Sequence, residues 1–197
     1  MYLDGTFAFG LAAISAVPLR VGQLLTQTEI DSLKGADLEE KAKEVALRFI
    51  EYRPRSTAET RQHLLKKEYP EDVVERVIER LTAVELLNDA AFASYWVEQR
   101  QTFKPRSQLA IQQELRQKGV ERQAIDDALQ SVDEVTAATR AAEPKARRWQ
   151  GLPEEEFFKK VGSYLQRRGF SYDIVKEVTA TLWEEVNEQD EEANNQF

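Results

Sequence analysis

The sequence predicts an all-α protein of three tandem three-helix repeats, preceded by a small β-containing extension. The first observation behind this prediction is a recurring phrase whose leucines, Leu64, Leu115 and Leu165, stand 51 and 50 residues apart. The second is an apolar run at matching offsets after each phrase, with the spacing of a helix that buries one face. Self-similarity at a fixed period of this kind is typical of repeat architectures.

Each phrase has the form of a helix end followed by a new helix start. Two residues separate the leucine from a lysine or arginine, which suits the negative end of the helix dipole. Gly119 and Gly169 come next in two copies, where glycine favours the left-handed conformation that ends a helix. The first copy has Glu68 instead, so we expect that helix to end less favourably, with Pro70 enforcing the stop and opening the next helix.

The N-terminal extension, residues 1–36, contains the only predicted strands. Asp4-Gly5 between short extended runs predicts a β-hairpin. Residues 17–22 form a second candidate extended segment. Thr28 is expected to cap a short helix over residues 29–34, which Gly35 ends.

The first helical repeat is predicted at residues 37–88. Its first helix starts at a capping box of Asp37 and Glu40 and ends at Pro54. Ser56 and Glu59 form a second box, which starts the helix that ends near residue 67. The third helix follows Pro70 and extends to about residue 84.

The other two repeats are predicted at residues 89–133 and 134–187, before an acidic tail at 188–197. In the second repeat, Ser107 is expected to cap the middle helix and Gly119 to end it. In the third, Pro144 must kink or break the first helix, and Pro153 with three glutamates starts the second. The tail is polar and acidic, so we expect it to be frayed or disordered.

Composition excludes several classes of function. The chain has no cysteine and one histidine, His63, so disulfides, thiolate metal sites and the usual histidine chemistries lack their residues. The sequence contains no phosphate-binding glycine loop and no nucleophile elbow. Glu154, Glu155 and Glu156 are explained by the positive end of a helix dipole. We therefore expect no enzymatic activity, no metal and no cofactor.

The sequence also gives no sign of membrane association. The apolar stretch over residues 7–19 lacks a basic region before it and is too short to cross a bilayer. We expect a cytoplasmic monomer without membrane contact.

Charge is distributed unevenly along the chain. The net charge is −8, yet residues 42–170 carry +2 and the two ends carry the excess acid. Two basic clusters in the second and third repeats are either solvated surface with helix-end cations or a docking stripe for an acidic partner or a phosphate backbone. The candidate partner-binding residues are Arg100, Lys104, Arg106, Arg116, Lys118, Arg147, Arg148, Arg167 and Arg168.

Residues 46–56, 87–93, 111–120 and 167–171 contain phrases that resemble those of the RecX family, the regulatory proteins of the RecA recombinase. The most specific is residues 111–120, which is similar to the family signature Ile-x-x-Glu-Leu-x-x-Lys-Gly-Ile. Residues 46–56, 87–93 and 167–171 resemble other family phrases, and the resemblance spans residues 42–186. Ser107 stands where many members have glycine.

The resemblance implies three-helix repeats in an elongated, curved body. It implies a regulator that binds the RecA nucleoprotein filament on single-stranded DNA and restrains strand exchange and co-protease activity, within DNA repair, homologous recombination and the SOS response. Direct contact with single-stranded DNA would be weak. No catalysis by the regulator itself is required.

Two alternatives stay open from the residues alone. In a helical DNA-binding module, the helices after Gly119 and Gly169 would read bases, yet residues 121–132 and 172–186 are net acidic. A generic helical-repeat scaffold for another protein partner is the second alternative.

Overall fold

The computed structural model describes residues 1–11 and 16–194, with side chains as far as residue 188. The strands within that part are β1 (Tyr2–Leu3) and β2 (Thr6–Phe7). The helices of the same residues are α1 (Gln27–Tyr52), α2 (Thr57–Lys66), α3 (Glu71–Ala83), α4 (Asp89–Phe103), α5 (Gln108–Gln117), α6 (Arg122–Leu129), α7 (Glu134–Arg148), α8 (Glu154–Gln166) and α9 (Tyr172–Asn194). The predicted all-α class with a small β-containing extension is confirmed.

The predicted hairpin is present at the N-terminus. β1 and β2 pair antiparallel around Asp4 and Gly5, whose φ values of 49° and 82° are those of a primed turn. The extended segment expected at residues 17–22 is wrong. Turns occupy this region, where the amide of Leu19 donates to the carbonyl of Ala16 over 3.1 Å.

Helix α1 begins earlier than predicted and crosses the expected border at residue 36. Thr26 caps it: the Thr26 hydroxyl accepts from the Glu29 amide, and the Glu29 carboxylate accepts from the Thr26 amide at 2.7 Å. The separate helix over residues 29–34 and the new start at Asp37 are therefore wrong. Gly35 does not have a positive φ, so it lies inside the helix without ending it.

The three repeated phrases end their helices in one way. Glu68, Gly119 and Gly169 all adopt left-handed φ values, 64°, 74° and 90°. At each end, the amide of the next residue donates to the carbonyl of the repeated leucine, over 3.3, 3.1 and 3.4 Å in chain order. These are Schellman ends. Glu68 adopts the same left-handed conformation as the two glycines. The first phrase therefore ends its helix in the same way as the other two.

The helices pack as three triads, α1–α3, α4–α6 and α7–α9, and within each triad all three helices contact one another. Each triad has its own buried core, and the repeated leucines are completely buried in these cores. The chain divides into two compact units, Met1–Asn88 and Asp89 onward, so that the second unit holds two triads. The bounds of the three sequence repeats stay predictions.

Two further expectations for the third triad differ from the structure. Helix α7 continues through Pro144, because a row of buried alanines packs it onto α8 and α9, so the expected break is wrong and the alternative of a kink stays a prediction. Tertiary packing of this kind stabilises the helix against the loss of one backbone hydrogen bond. Helix α9 extends to Asn194, into the segment that was expected to be frayed, and its glutamates and alanines are good helix formers.

Within the second unit, the start of α5 lies against the turn between α8 and α9. The amide of Ser107 donates to the carbonyl of Arg168 over 3.2 Å, and the Arg168 guanidinium donates to the carbonyl of Pro105 over 2.8 Å. The amide of Gln108 donates to the Glu134 carboxylate at 2.6 Å. These bonds fix the α4–α6 and α7–α9 triads to each other.

Candidate partner-binding surface

All nine candidate cations belong to the second unit, and the structure sorts them by what their side chains contact. Some are engaged in contacts that hold the fold together. The others are exposed, and among the described residues only Arg147 of these has a side-chain partner. The sequence could not make this distinction, because it depends on residues from different helices.

Arg100 and Arg106 are engaged at a single carboxylate, that of Glu114. Arg100 Nε donates to it at 2.6 Å, the indole nitrogen of Trp96 donates at 2.7 Å, and Arg106 lies 3.1 Å away. The Glu114 carboxylate is largely buried, as is the Arg100 side chain. Two donors from α4 and one from the connector after it therefore converge on one acceptor on α5, and this cluster is called the Glu114 hub.

Lys118 and Arg168 also contact the fold. The Lys118 ammonium lies 4.2 Å from the centre of the Trp96 ring, which extends the Glu114 hub with a cation–π contact. The Arg168 guanidinium lies 4.6 Å from the centre of the Tyr164 ring and donates to Pro105, as described above. Both side chains thus already contact other parts of the fold, and a partner that bound them would compete with these contacts.

Lys104, Arg116, Arg148 and Arg167 are exposed and have no side-chain partner among the described residues. Arg147 is also exposed and pairs with Glu143 one turn away, at 2.6 Å. An exposed pair of this kind contributes about 0–1 kcal/mol, so a partner can replace it at small cost. These five residues are the part of the predicted stripe that is available for binding.

A second basic cluster, in the first unit, was not among the sequence candidates. The ring of His63 stacks on Phe49 at 4.0 Å between centroids, and the Arg55 guanidinium lies 3.9 Å from the centre of the same Phe49 ring. Burial lowers the pKa of His63, and the charges of Lys67, Arg55 and Lys66 lower it further. The density of basic residues between positions 53 and 67 was the available signal.

The described residues offer no group of acidic or histidine side chains that would hold a metal ion. Glu154, Glu155 and Glu156 occupy the first turn of α8, where they complement the helix dipole, and Glu156 also pairs with Lys160 at 2.9 Å. Within the described chain, no helix combines the length and apolarity that a bilayer crossing requires.

The fold defines a class: a helical repeat protein of three-helix units that exposes basic side chains. The comparisons with known proteins show its family. Family models for the first, second and third three-helix domains of RecX match residues 42–81, 88–129 and 132–179. The chain belongs to the RecX family.

Individual relatives agree with this assignment. A regulatory protein RecX of Bacillus subtilis is 32% identical over 98% of this chain and 74% of its own length. One of Mycobacterium ulcerans is 39% identical over 71% of this chain and 83% of its own. A crystal structure of regulatory protein RecX covers 91% of both chains at 29% identity, with a TM-score of 0.73. These relatives and the solved structure are thus similar to this chain over most of its length.

Proposed function

We propose that this chain binds the RecA filament on single-stranded DNA and restrains its recombinase and co-protease activities. Membership of a family of regulatory proteins supports a regulatory role over a generic scaffold. The observation that carries the binding surface is the set of exposed, unpaired cations in the second unit of a chain whose net charge is −8. The members of this free set are Lys104, Arg116, Arg148 and Arg167.

Regulation of this kind requires only a difference in affinity. A ligand that binds one state of a filament better than another shifts the population toward the favoured state by that difference. Exposed cations raise the rate of encounter with an acidic surface or a phosphate backbone, and salt weakens their effect. The protein therefore needs no catalytic group for the proposed role.

The test is charge reversal within the free set, in two pairs: Lys104→Glu with Arg116→Glu, and Arg148→Glu with Arg167→Glu. We expect each pair to raise the concentration needed to inhibit RecA strand exchange by tenfold or more, and to reduce co-sedimentation with RecA on single-stranded DNA. Arg140→Glu with Lys176→Glu is the matched control, because both residues are exposed and unpaired among the described side chains.

Arg100 and Arg106 are unsuitable for this test. Reversing them would place carboxylates beside Glu114 and break the Glu114 hub, so that a loss of binding would report misfolding. Circular dichroism establishes that the chosen variants are folded. Folded variants that inhibit RecA at an unchanged concentration and with unchanged salt dependence would refute the proposal that the free set binds the filament. Wild-type protein that fails to sediment with the filament would refute the function.

A further inference from the structure

A cleft of about 560 Å³ lies between α5 and α6, where the second triad meets the start of α7. None of the nine candidate cations lines it. Residues 108 and 112 stand four apart on α5, and residues 126 and 130 stand four apart at the end of α6, so the members of each pair face the same side. The lining residues that decide its chemistry are Gln108, Gln112, Asp126, Leu129, Gln130 and Glu134, and they define the α5–α6 cleft.

The three glutamines of the α5–α6 cleft bond to the fold through their side-chain nitrogens. The Gln108 nitrogen donates to the carbonyl of Val132 over 2.8 Å. The nitrogens of Gln112 and Gln130 donate to carboxylate oxygens of α6, over 3.5 and 3.3 Å. Carbonyl and carboxylate oxygens can only accept, so these bonds settle which end of each amide is the oxygen. No described residue donates to the three amide oxygens, which leaves them as acceptors for a ligand.

Two partly buried carboxylates add negative charge to the α5–α6 cleft. Glu134 accepts from the backbone amide of Gln108 at 2.6 Å and pairs with no cation among the described residues. Asp126 lies 3.3 Å from Arg122, whose side chain is 83% exposed. An exposed pair one turn apart contributes little, so a ligand can displace Arg122. The lining side chains thus hold two carboxylates and no cation of their own.

Apolar side chains lie beside these oxygens. Leu129 is buried, whereas Leu109, which also lines the cleft, is 59% exposed. Tyr172 is 71% exposed and directly follows Ser171, another lining residue. A free cation would leave Leu109 and Tyr172 in water, whereas the residues that flank a cation in a protein segment can cover them. The exposed apolar side chains therefore favour a segment over a small molecule.

We propose that the α5–α6 cleft binds an arginine side chain on an extended segment of a protein partner. The guanidinium has five N–H donors in one plane and no acceptor, which suits the Asp126 and Glu134 carboxylates and the amide oxygens together. Its methylenes pack on Leu129, as the stems of long cationic side chains do on apolar surface. A lysine ammonium presents its three donors on one atom and reaches fewer of these oxygens.

This inference goes beyond the proposed regulation of RecA, because it assigns a second surface whose charge is opposite to that of the free set. It is tested with peptides, without recombinase or nucleic acid. Its failure therefore leaves the proposed function standing, and failure of the proposed function leaves the cleft standing.

The first experiment uses the isotope-labelled full chain and needs no variant. The probe is the peptide acetyl-Leu-Arg-Leu-amide, and the readout is the NMR signals of the glutamine side-chain amides. We expect the signals of Gln108, Gln112 and Gln130 to shift. The same peptide with citrulline, which has the shape of arginine without its charge, should bind at least tenfold more weakly.

Three results of this experiment would overturn the proposal. Unshifted signals of the three glutamines would exclude the α5–α6 cleft as the place of binding. Equal affinity of the arginine and citrulline peptides would exclude a site for a cation. Free arginine amide that binds as tightly as the peptide would exclude a protein segment as the occupant.

The carboxylates are tested by Asp126→Asn with Glu134→Gln, which keeps the shape of the cleft and removes its charge. We expect this pair to weaken the arginine peptide tenfold or more. Glu121→Gln with Glu177→Gln is the matched control, because both residues are exposed and no described side chain pairs with either. The control should change the affinity less than twofold. Equal weakening by both pairs would reduce the effect to net charge and overturn the site.

The amide oxygens are tested by Gln112→Met with Gln130→Met, because methionine keeps the length of the side chain and has no carbonyl. We expect this pair to weaken the arginine peptide threefold or more, with an unchanged circular dichroism spectrum. Glu134 also holds the start of α5, so the methionine pair decides the outcome if the carboxylate variants fail to fold. An unchanged affinity in the folded methionine variant would overturn the proposal.

Discussion

A β-carbon on Gly169 would lie 2.6 Å from the hydroxyl oxygen of Ser107. Gly169 has a φ of 90° in the turn between α8 and α9, and Ser107 caps α5, where its hydroxyl accepts from the Ala110 amide at 3.1 Å. The end of one helix therefore touches the start of another with no space for a side chain. Glycine is required there twice, for its conformation and for its size.

We expect Gly169→Ala to destabilise the protein by about 2–3 kcal/mol, from a left-handed φ and a close contact that must be relieved. Urea unfolding monitored by circular dichroism measures the change. Gly35→Ala is the matched control, because Gly35 lies inside α1 without positive φ and with open space around it. This control should stabilise by about 0.5–1 kcal/mol. A Gly169 variant as stable as the wild type would contradict the assigned packing.

Glu68 adopts the left-handed conformation that glycine adopts in the other two phrases, with a φ of 64°. Glu68→Gly should therefore stabilise the first unit by roughly 1 kcal/mol, since it removes the strain of a β-carbon in that region. Lys66→Gly, in the last turn of α2 at helical φ, should destabilise by a similar amount. Thermal unfolding of both variants checks the opposite signs. If both glycines destabilise, the strain at Glu68 is absent.

Thr179 is buried on α9, 2% exposed, and its hydroxyl oxygen has no hydrogen-bond partner among the described residues. Burying a hydroxyl without a partner costs about 1–3 kcal/mol. Thr179→Val keeps the shape and removes the polar group, so we expect the free energy of unfolding to rise by about 1 kcal/mol. Thr181→Val is the control, because the exposed Thr181 hydroxyl donates to the carbonyl of Glu177. A decrease in stability for Thr179→Val would show that the hydroxyl is solvated.

His63 predicts a pH dependence of stability. Its pKa is lowered in the folded protein, first by burial and then by Lys67, Arg55 and Lys66. The unfolded chain therefore binds more protons than the folded chain as the pH falls below about 6.5. Stability that is complete above this pH is lost as the pH falls through the lower folded pKa. Urea midpoints between pH 7.5 and 5 measure this loss.

His63→Phe should remove this pH dependence while keeping a ring on Phe49. The histidine is the only one in the chain, so no other side chain of its type titrates in the same range. The ion-paired carboxylates have lowered pKa values, Glu39 chiefly through its hydrogen bond from Arg80, so their loss of stability begins at lower pH. A slope between pH 7 and 5.5 that persists in the variant would exclude His63 as its origin.

Local signals in the sequence predicted the helix ends well. The capping box of Ser56 and the cap at Ser107 are present, as predicted. Such signals are readable from sequence because a capping side chain accepts from an amide only three residues away. Gly119 and Gly169 end their helices with positive φ, as expected. The prediction that a helix ends at Gly35 was wrong. Glycine permits a helix end without requiring one, and these ends also have the backbone hydrogen bonds of a Schellman turn.

The basic surface could be predicted only as a set of residues. Whether a cation is free depends on which carboxylate or ring the fold brings beside it, and Glu114 receives Arg100 from another helix. Pro144 was judged by its local cost, whereas packing of buried alanines decides the outcome.

The arrangement of the helices in triads has a kinetic consequence. Each triad closes its core within a stretch of about 50 residues, so the contacts that build it are short in sequence separation. Low contact order favours rapid folding, because little loop-closure entropy is lost before the contacts form. The first triad can therefore fold while the ribosome is still adding the remaining hundred or so residues, at about 5–20 residues per second. During synthesis, the apolar core residues of only one triad at a time are then left unburied.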